Sequence, residues 1–504
     1  MFKRTEFERV TPESVGIASE DIMWLLDQLE SGFTEPHGLM IMRHGKICAE
    51  GWWAPFAPGI RHGEQSHSKT YAATAAGIAY TEGILELDEW VVDIFPDQLP
   101  EEVSENLKRM TVRDVLCMGC GMDRMPQPTK DWIRDFLAIP VEHVPGTAYM
   151  YNSVGSTLIG AIVREKTGMG LQEYLKPRLY DKIGIDCENH RWMKMPDGME
   201  VGGGGLFATT EDNLRLMKLY ADGGVWDGDR ILAAEYVKMA TTLQNASASE
   251  EKKNPLAKDN FVGYGFQIWM CRPKGVYRAD GAMGQYTIVV PDLDMILAIT
   301  ENAGSAHWAQ SVLDTMWEFL ERVKANSANL ENTEATGRLK DRMNRLSLPR
   351  EKYAPYSPTA AKFQDQVFTV VKGEMRLTDW VTENSMAGKE APKPVDSFWF
   401  SFRAMECTLH YVTEGQEHTV NIAMDGSRRY AEFEDTLNSQ ALMNAYWEGE
   451  NELHVVTRWI ETCSRQERIF RFQDGKVEME TKGNLFLGGP EPIVTALMQE
   501  EKSS

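Results

Sequence analysis

Among the serines of this chain, two stand three residues ahead of a lysine: Ser66-His67-Ser68-Lys69 and Ser249-Glu250-Glu251-Lys252. Chance alone yields about one or two such matches in a chain of this size, so the surroundings must separate them. The second lies in NASASEEKKN, a charged stretch with no apolar face, and reads as a solvated loop. The first opens an Ala-rich segment with the composition of a buried helix. A serine at a helix start gains from the local positive potential when its oxygen becomes anionic. A lysine three residues on lies one turn away on the same face, where burial would lower its pKa and let it act as a base. Read by itself, the pattern also fits Ser66 as a helix cap and Lys69 as a surface residue.

Other chemistries lack their residues. There is no H-E-x-x-H, and the ten histidines show no metal-ligand spacing. Cys117-x-x-Cys120 is a lone pair without a second CxxC, so neither a zinc nor a redox site is expected. The four glycines Gly202–Gly205 lack the lysine of a phosphate loop and the dinucleotide pattern; they read as a loop passing close to another element. No G-x-S-x-G elbow is present. No metal and no cofactor are expected.

The elements that must position Ser66 and Lys69 can be read around them. Asp21 to Leu29 is amphipathic with helical period, and HGLMIMRHGKICAEGWW forms a hairpin turning at Arg43-His44-Gly45-Lys46. The Ala-rich helix follows and stops at Gly83. Further helices are expected at 110–118, 155–166, 209–222 and 305–324. Strand character returns at 263–270, 275–279 and 285–300. A hairpin and helices followed by closing strands imply an α+β domain whose terminal strands share one sheet. Residues 325–362 turn polar and carry Pro349, Pro355 and Pro358, reading as a short helix (334–346) and a linker. Beyond them the period becomes two, through 398–424, 454–463 and 466–480, with Asp474-Gly475 as a hairpin turn. An antiparallel barrel or sandwich is expected there. The division is 1–325, a helix and linker at 326–362, and 363–504.

At 504 residues the chain exceeds the roughly 250–300 over which a single core grows, which agrees with two domains. The net charge of −22 repels nucleic-acid phosphates and anionic lipid. Seven scattered cysteines fit a reducing compartment rather than a disulfide framework. The segment MFKRTEFERVTPESVG carries no apolar run of the secretory kind, and no window has the roughly 18 consecutive apolar residues of a membrane span. A cytoplasmic location is expected, with no nucleic acid and no membrane as partner. Assembly into a homo-oligomer stays open.

The order of motifs resembles that of the serine β-lactamase/penicillin-binding-protein-like hydrolases: class C β-lactamases, D,D-peptidases and related esterases. SHSKTYAATAAGIAYTEGILELD is similar to their S-x-S-K helix and its E-G-x-L-x-L-D sequel, and TVRDVLCMGCGM (111–122) to their TVRDLLTHTSGL segment, which makes Cys117 and Cys120 packing residues. Their Tyr-x-Asn motif corresponds to Tyr151-Asn152-Ser153 within PGTAYMYNSVGSTLIG, with Tyr149 as the less favoured register. GGGGLFATTED (202–212) follows, and the closing Lys-Thr-Gly or His-x-Gly motif corresponds to Ala279-Asp280-Gly281. The resemblance spans roughly 8–325. It implies a β-lactamase/transpeptidase-like fold, an antiparallel sheet flanked by helices plus an all-α subdomain.

The same resemblance implies two-step acyl transfer: Ser66 attacks, Lys69 and Tyr151 share the base role, and the N–H groups of Ser66 and Ala282 hold the oxyanion. Gly281 would leave room for substrate along the strand. Two departures matter. Ser153 replaces the motif asparagine, and Ala279 stands where lactamases and peptidases carry a cation for the substrate carboxylate. Arg278 is adjacent, but neighbouring strand residues face opposite sides. The implied substrate is therefore a small ester, amide or short peptide. The alternatives are a β-lactamase or D,D-carboxypeptidase and, from another class, a non-catalytic ligand-binding protein of this fold. The C-terminal part resembles the lipocalin-like β-barrels appended to some relatives. Its Trp380, Trp399, Trp447 and Trp459 are read as core packing ahead of pocket lining.

Overall fold

The structure is a computed structural model that describes residues 5–127, 129–249, 257–304, 309–326, 333–378, 393–433, 440–483 and 492–499. Chain contacts divide it into two compact units, one running to Ser347 and one starting at Leu348.

The first unit is built on a six-stranded antiparallel sheet. Its strands are β1 (Glu35–Arg43), β2 (Lys46–Trp52), β3 (Trp269–Met270), β4 (Tyr277–Gly281), β5 (Gln285–Val290) and β6 (Met295–Asn302), in the order β2-β1-β6-β5-β4-β3. The hairpin β1–β2 turns where expected, because His44 and Gly45 both take positive φ, 52° and 72°. That is the backbone twist a two-residue hairpin requires. Leu39 to Met42 are buried on both faces, so β1 reads as a continuous apolar run rather than an alternating one. Each such side chain contributes about 1.5–3 kcal/mol on burial.

The run 285–300 is two strands instead of one. Pro291 donates no backbone hydrogen bond and Asp294 adopts φ 46°, which breaks the run into the β5–β6 hairpin. Of the stretch 263–270, only Trp269–Met270 pairs as strand.

Six longer helices accompany the sheet: α1 (Ser19–Leu29), α2 (Ser68–Thr81), α3 (Ser153–Thr167), α4 (Thr210–Ala221), α5 (Ala309–Asn326) and α6 (Thr333–Met343). α2 packs on α3, α1 on α5 and α6, and α4 on β6, β5 and β1. α2 is buried on nearly every side, which its small residues permit. A Cβ at Gly77 would stand 2.4 Å from the Tyr236 ring. α4 starts on a capping box between Thr209 and Asp212. No helix among the described residues is long and apolar enough to cross a membrane.

The second unit is an antiparallel barrel of strands β7 (Phe368–Lys372), β8 (Ser397–Phe402), β9 (Glu406–Thr413), β10 (Gln416–Ala423), β11 (Arg429–Glu432), β12 (Gln440–Glu448), β13 (Glu452–Trp459), β14 (Arg465–Gln473), β15 (Lys476–Gly483) and β16 (Val494–Met498). Nine of them form a ring, closed where Ala423 of β10 meets Asn444 of β12, and β11 pairs beside β12. The interior is filled by inward side chains such as Phe398, Phe400, Phe470 and Phe472. Trp447 and Trp459 belong to that core. Trp399 alternates outward and stacks on His410 at 4.9 Å. Trp380 lies outside the described residues.

Candidate active site

Ser66 sits in a single 3₁₀ turn (Gln65–His67) that runs straight into α2. The residue before it, Gln65, adopts φ 50°. A non-glycine residue in the left-handed region costs roughly 1–3 kcal/mol and persists only where its surroundings impose it. The surroundings are visible: Ser68 Oγ donates to the Gln65 carbonyl at 2.6 Å and accepts from the N–H of Leu206 at 3.0 Å. The second serine of the S-x-S-K run is thus structural, tying the turn to the strand Leu206–Ala208.

Lys69 is fully buried one turn on. Its Nζ donates to Ser66 Oγ at 2.8 Å and to the Gly203 carbonyl at 2.5 Å, and lies 4.8 Å from the centre of the Tyr151 ring. Burial without an ion-pair partner penalises the ammonium form and brings its pKa down to about 7, against the upward pull of Asp280. The surface alternative for Lys69 is excluded by its burial. The glycine run explains itself here: a Cβ at Gly203 would stand 2.0 Å from the Ser153 carbonyl, so only glycine at this position brings its own carbonyl to the amine.

Tyr151 stacks on Trp269 at 5.4 Å and meets Tyr264 edge-on at 6.3 Å. Burial raises its phenol pKa, and hydrogen bonding with Ser66 opposes the rise. Tyr149 packs in the same aromatic group, against Tyr264 and Trp269, with its backbone N–H on Ser247 Oγ. Ser153 begins α3, and Asn152 caps that helix by accepting from the N–H of Gly155 at 2.8 Å. The neighbouring asparagine is therefore occupied and does not replace the amide missing at Ser153.

On β4, Ala279 is fully buried and registered opposite Thr287, whose hydroxyl meets His67 Nε2 at 3.0 Å. Burial drops the His67 pKa to about 3, so this ring is neutral. Arg278 and Asp280 share the other face, joined at 2.8 Å from Nε to Oδ2. Arg278 is wholly buried and also donates to Asn260 Oδ1 at 2.8 Å. Its charge is spent inside the protein. At Gly281 a Cβ would meet the Glu64 carbonyl at 2.2 Å, a backbone reason for glycine independent of any substrate. Ala282 follows in the turn to β5, where Met283 takes φ 66° and Gly284 φ 93°.

The structure thus gathers Ser66, Lys69 and Tyr151 at one point, with β4 alongside the turn that carries Ser66. Ser249 is exposed on a separate 3₁₀ turn with its hydroxyl on the Ala246 carbonyl, and Lys252 lies outside the described residues. Cys117 and Cys120 are buried free thiols whose pKa values burial pushes upward, that of Cys117 to about 12. Sequence reasoning missed Trp269, Tyr264, the Gly203 carbonyl and the Asp280–Arg278 pair. Strand pairing of Trp269 with Arg278 and a bridge from Tyr264 to Trp269 bring several of them together, and the apolar pattern of this stretch does not signal it.

A family profile described as Beta-lactamase matches residues 26–314. The chain is 22% identical over 315 residues to an Escherichia coli (strain K12) protein named "Putative D-alanyl-D-alanine carboxypeptidase", covering 47% of this chain and 73% of that one. It is 22% identical over 326 residues to a 6-aminohexanoate-dimer hydrolase of Paenarthrobacter ureafaciens, covering 59% and 82%. Among solved structures, one titled "Putative 6-aminohexanoate-dimer hydrolase from Bacillus anthracis" superposes with a TM-score of 0.51 at 16% identity, over 65% of this chain and 89% of that one. That likeness is one of fold. With more than half its length matched by the profile, and with the sheet, helices and motif order described above, the chain belongs to the Beta-lactamase family.

Proposed function

We propose that this chain is a serine hydrolase acting through an acyl-enzyme on a neutral ester or amide. The observation that carries the reading is the buried Lys69 amine, 2.8 Å from Ser66 Oγ and with a carbonyl as its other hydrogen-bond partner. An amine desolvated in this way, with its pKa brought down to about 7, loses its proton as the pH rises through that value, which is what a general base needs. In this scheme Lys69 and Tyr151 share the base role: the Ser66 proton ends on Lys69, directly or by relay through the Tyr151 hydroxyl, as Oγ attacks the carbonyl, and Tyr151 helps return it to the leaving group. The N–H groups of Ser66 and Ala282 hold the oxyanion, each such donor being worth roughly 3–4 kcal/mol. Water then releases the acyl group. The chemistry belongs to the part bounded at 1–325 in the sequence reading.

The third motif supports a neutral substrate. Ala279 supplies no charge, and Arg278 is already paired with Asp280. The test is turnover and intact-mass labelling across p-nitrophenyl esters, D-amino-acid amides and β-lactams. p-Nitrophenyl acetate should be hydrolysed faster than benzylpenicillin. The reverse order would overturn the substrate preference, and no turnover or acylation across the panel would favour a ligand-binding protein.

A further inference from the structure

The outer face of the barrel hairpin β12–β13 carries a group of side chains that the hydrolase reading leaves unused. Glu448 and Glu452 are registered directly opposite each other at the end of this hairpin. Like charges placed so destabilise a strand pair unless something lies between them. Two residues along β13, His454 is buried with its side chain only 6% exposed, between its stacking partner Tyr446 and these carboxylates. Its Nε2 makes no hydrogen bond. It lies 3.3 Å from Glu448 Oε2 and 3.7 Å from Glu452 Oε2.

Each of these three ligand atoms is aimed by a partner on the far side. His454 Nδ1 meets Glu467 Oε1 at 2.8 Å, and that oxygen also accepts from the Tyr446 hydroxyl at 2.6 Å. A carboxylate at Nδ1 holds the proton there, so in the neutral ring the Nε2 lone pair points at the two glutamates. The other oxygen of Glu448 accepts from Lys352 Nζ at 2.9 Å, and that of Glu452 accepts from Arg471 Nε at 3.0 Å. A histidine backed by a carboxylate is the recurring outer arrangement of bound zinc. Ligand atoms about 2.0–2.2 Å from a tetrahedral zinc stand roughly 3.3–3.6 Å apart; the two separations from Nε2, 3.3 and 3.7 Å, lie close to that, and all three atoms lie within 4.8 Å of one another.

We propose that Glu448 Oε2, Glu452 Oε2 and His454 Nε2 form a site for a divalent transition ion, with zinc as its representative and water completing the coordination. One imidazole with two carboxylates is a donor set suited to zinc and its first-row neighbours rather than to calcium. The competing account makes His454 an imidazolium held by three carboxylates, and it leaves no room for an ion.

The two accounts separate in a zinc titration of the full-length protein, stripped with EDTA and followed by competition with a chromophoric zinc indicator. One equivalent of zinc should bind. Binding should be lost in His454→Gln and in the Glu448→Gln/Glu452→Gln protein, whose changes lie at the hairpin end and spare the barrel core. Glu467→Gln should keep the site and weaken it about 10–100-fold, the usual cost of removing the group behind a ligating histidine. Absence of stoichiometric binding, or equal affinity in the Glu448→Gln/Glu452→Gln protein, would overturn the proposal.

Discussion

Two buried cations lie on either side of the candidate site, and they have opposite fates. Lys69 is buried with only a serine hydroxyl and a backbone carbonyl as hydrogen-bond partners, and its pKa falls to about 7. Arg278 is equally buried, but Asp280 stands 2.8 Å away and its pKa rises above the ordinary arginine value. Desolvation acts against charge at both positions; Asp280 pulls the Lys69 pKa upward as well, but it hydrogen-bonds Arg278 directly, and that ion pair decides the outcome. The unpaired cation becomes a base within reach of Ser66, and the paired one becomes a piece of scaffold. This difference also explains how a strand can carry an arginine next to the third motif and still offer no positive charge to a substrate.

Breaking the first side should give the largest effects. Ser66→Ala should lower kcat by on the order of 10³-fold or more, as nucleophile deletions do. Lys69→Met and Tyr151→Phe should each lower it by about 10²–10⁴-fold. The double variant should be little worse than either single one, because groups sharing one proton act as a unit. Additive losses in steady-state kinetics would show that the two residues work independently.

The comparison sharpens when stability is read as well. Removing one partner of a buried ion pair leaves an unpaired charge and costs about 3–5 kcal/mol. Arg278→Met should approach that figure in a denaturant titration, and adding Asp280→Leu should restore much of the loss. Lys69→Met should be neutral or stabilising, since it removes a desolvated amine whose hydrogen-bond partners, a hydroxyl and a carbonyl, carry no charge. Equal destabilisation by both single changes would erase the distinction drawn here.

The smallest expected effect is a shift in pH dependence. Lys69 is protonated below its pKa of about 7 and cannot accept the Ser66 proton there. The kcat/KM profile should therefore rise with pH through about 7 and then level off. The negative charge of Asp280 raises the Lys69 pKa, so Asp280→Asn should move the rising limb to lower pH. A limb that stays in place or moves upward would detach Asp280 from Lys69.

How much of this was legible in the sequence depended on whether the signal was local. The β1–β2 hairpin, the Ala-rich helix and the helix beginning near Asn152 announce themselves through turn residues, propensity and caps within a few positions. The hairpin at Asp474-Gly475 does the same in the barrel, with Gly475 at φ 69°. Ser66 and Lys69 were legible for that reason too, being one turn apart. What escaped was set by pairing across distance. Gly203 reaches Lys69 from 134 positions away, and Trp269 meets Tyr151 only because β3 pairs with β4. The break of 285–300 into two strands turns on Asp294 in the left-handed region, which the apolar pattern around it does not reveal. Likewise, the burial of Arg278 beside Asp280 follows from the pleat and the sheet's covered faces, not from either residue's neighbours in sequence.

The central claim is that Ser66 is the residue made nucleophilic by this arrangement. It is tested most directly by treating the full-length protein with a fluorophosphonate probe, followed by peptide mapping of the adduct. The adduct should form at Ser66 alone, should vanish in Ser66→Ala, and should form far more slowly in Lys69→Met. An adduct at Ser249 or another serine, or full hydrolytic activity in Ser66→Ala, would contradict the account.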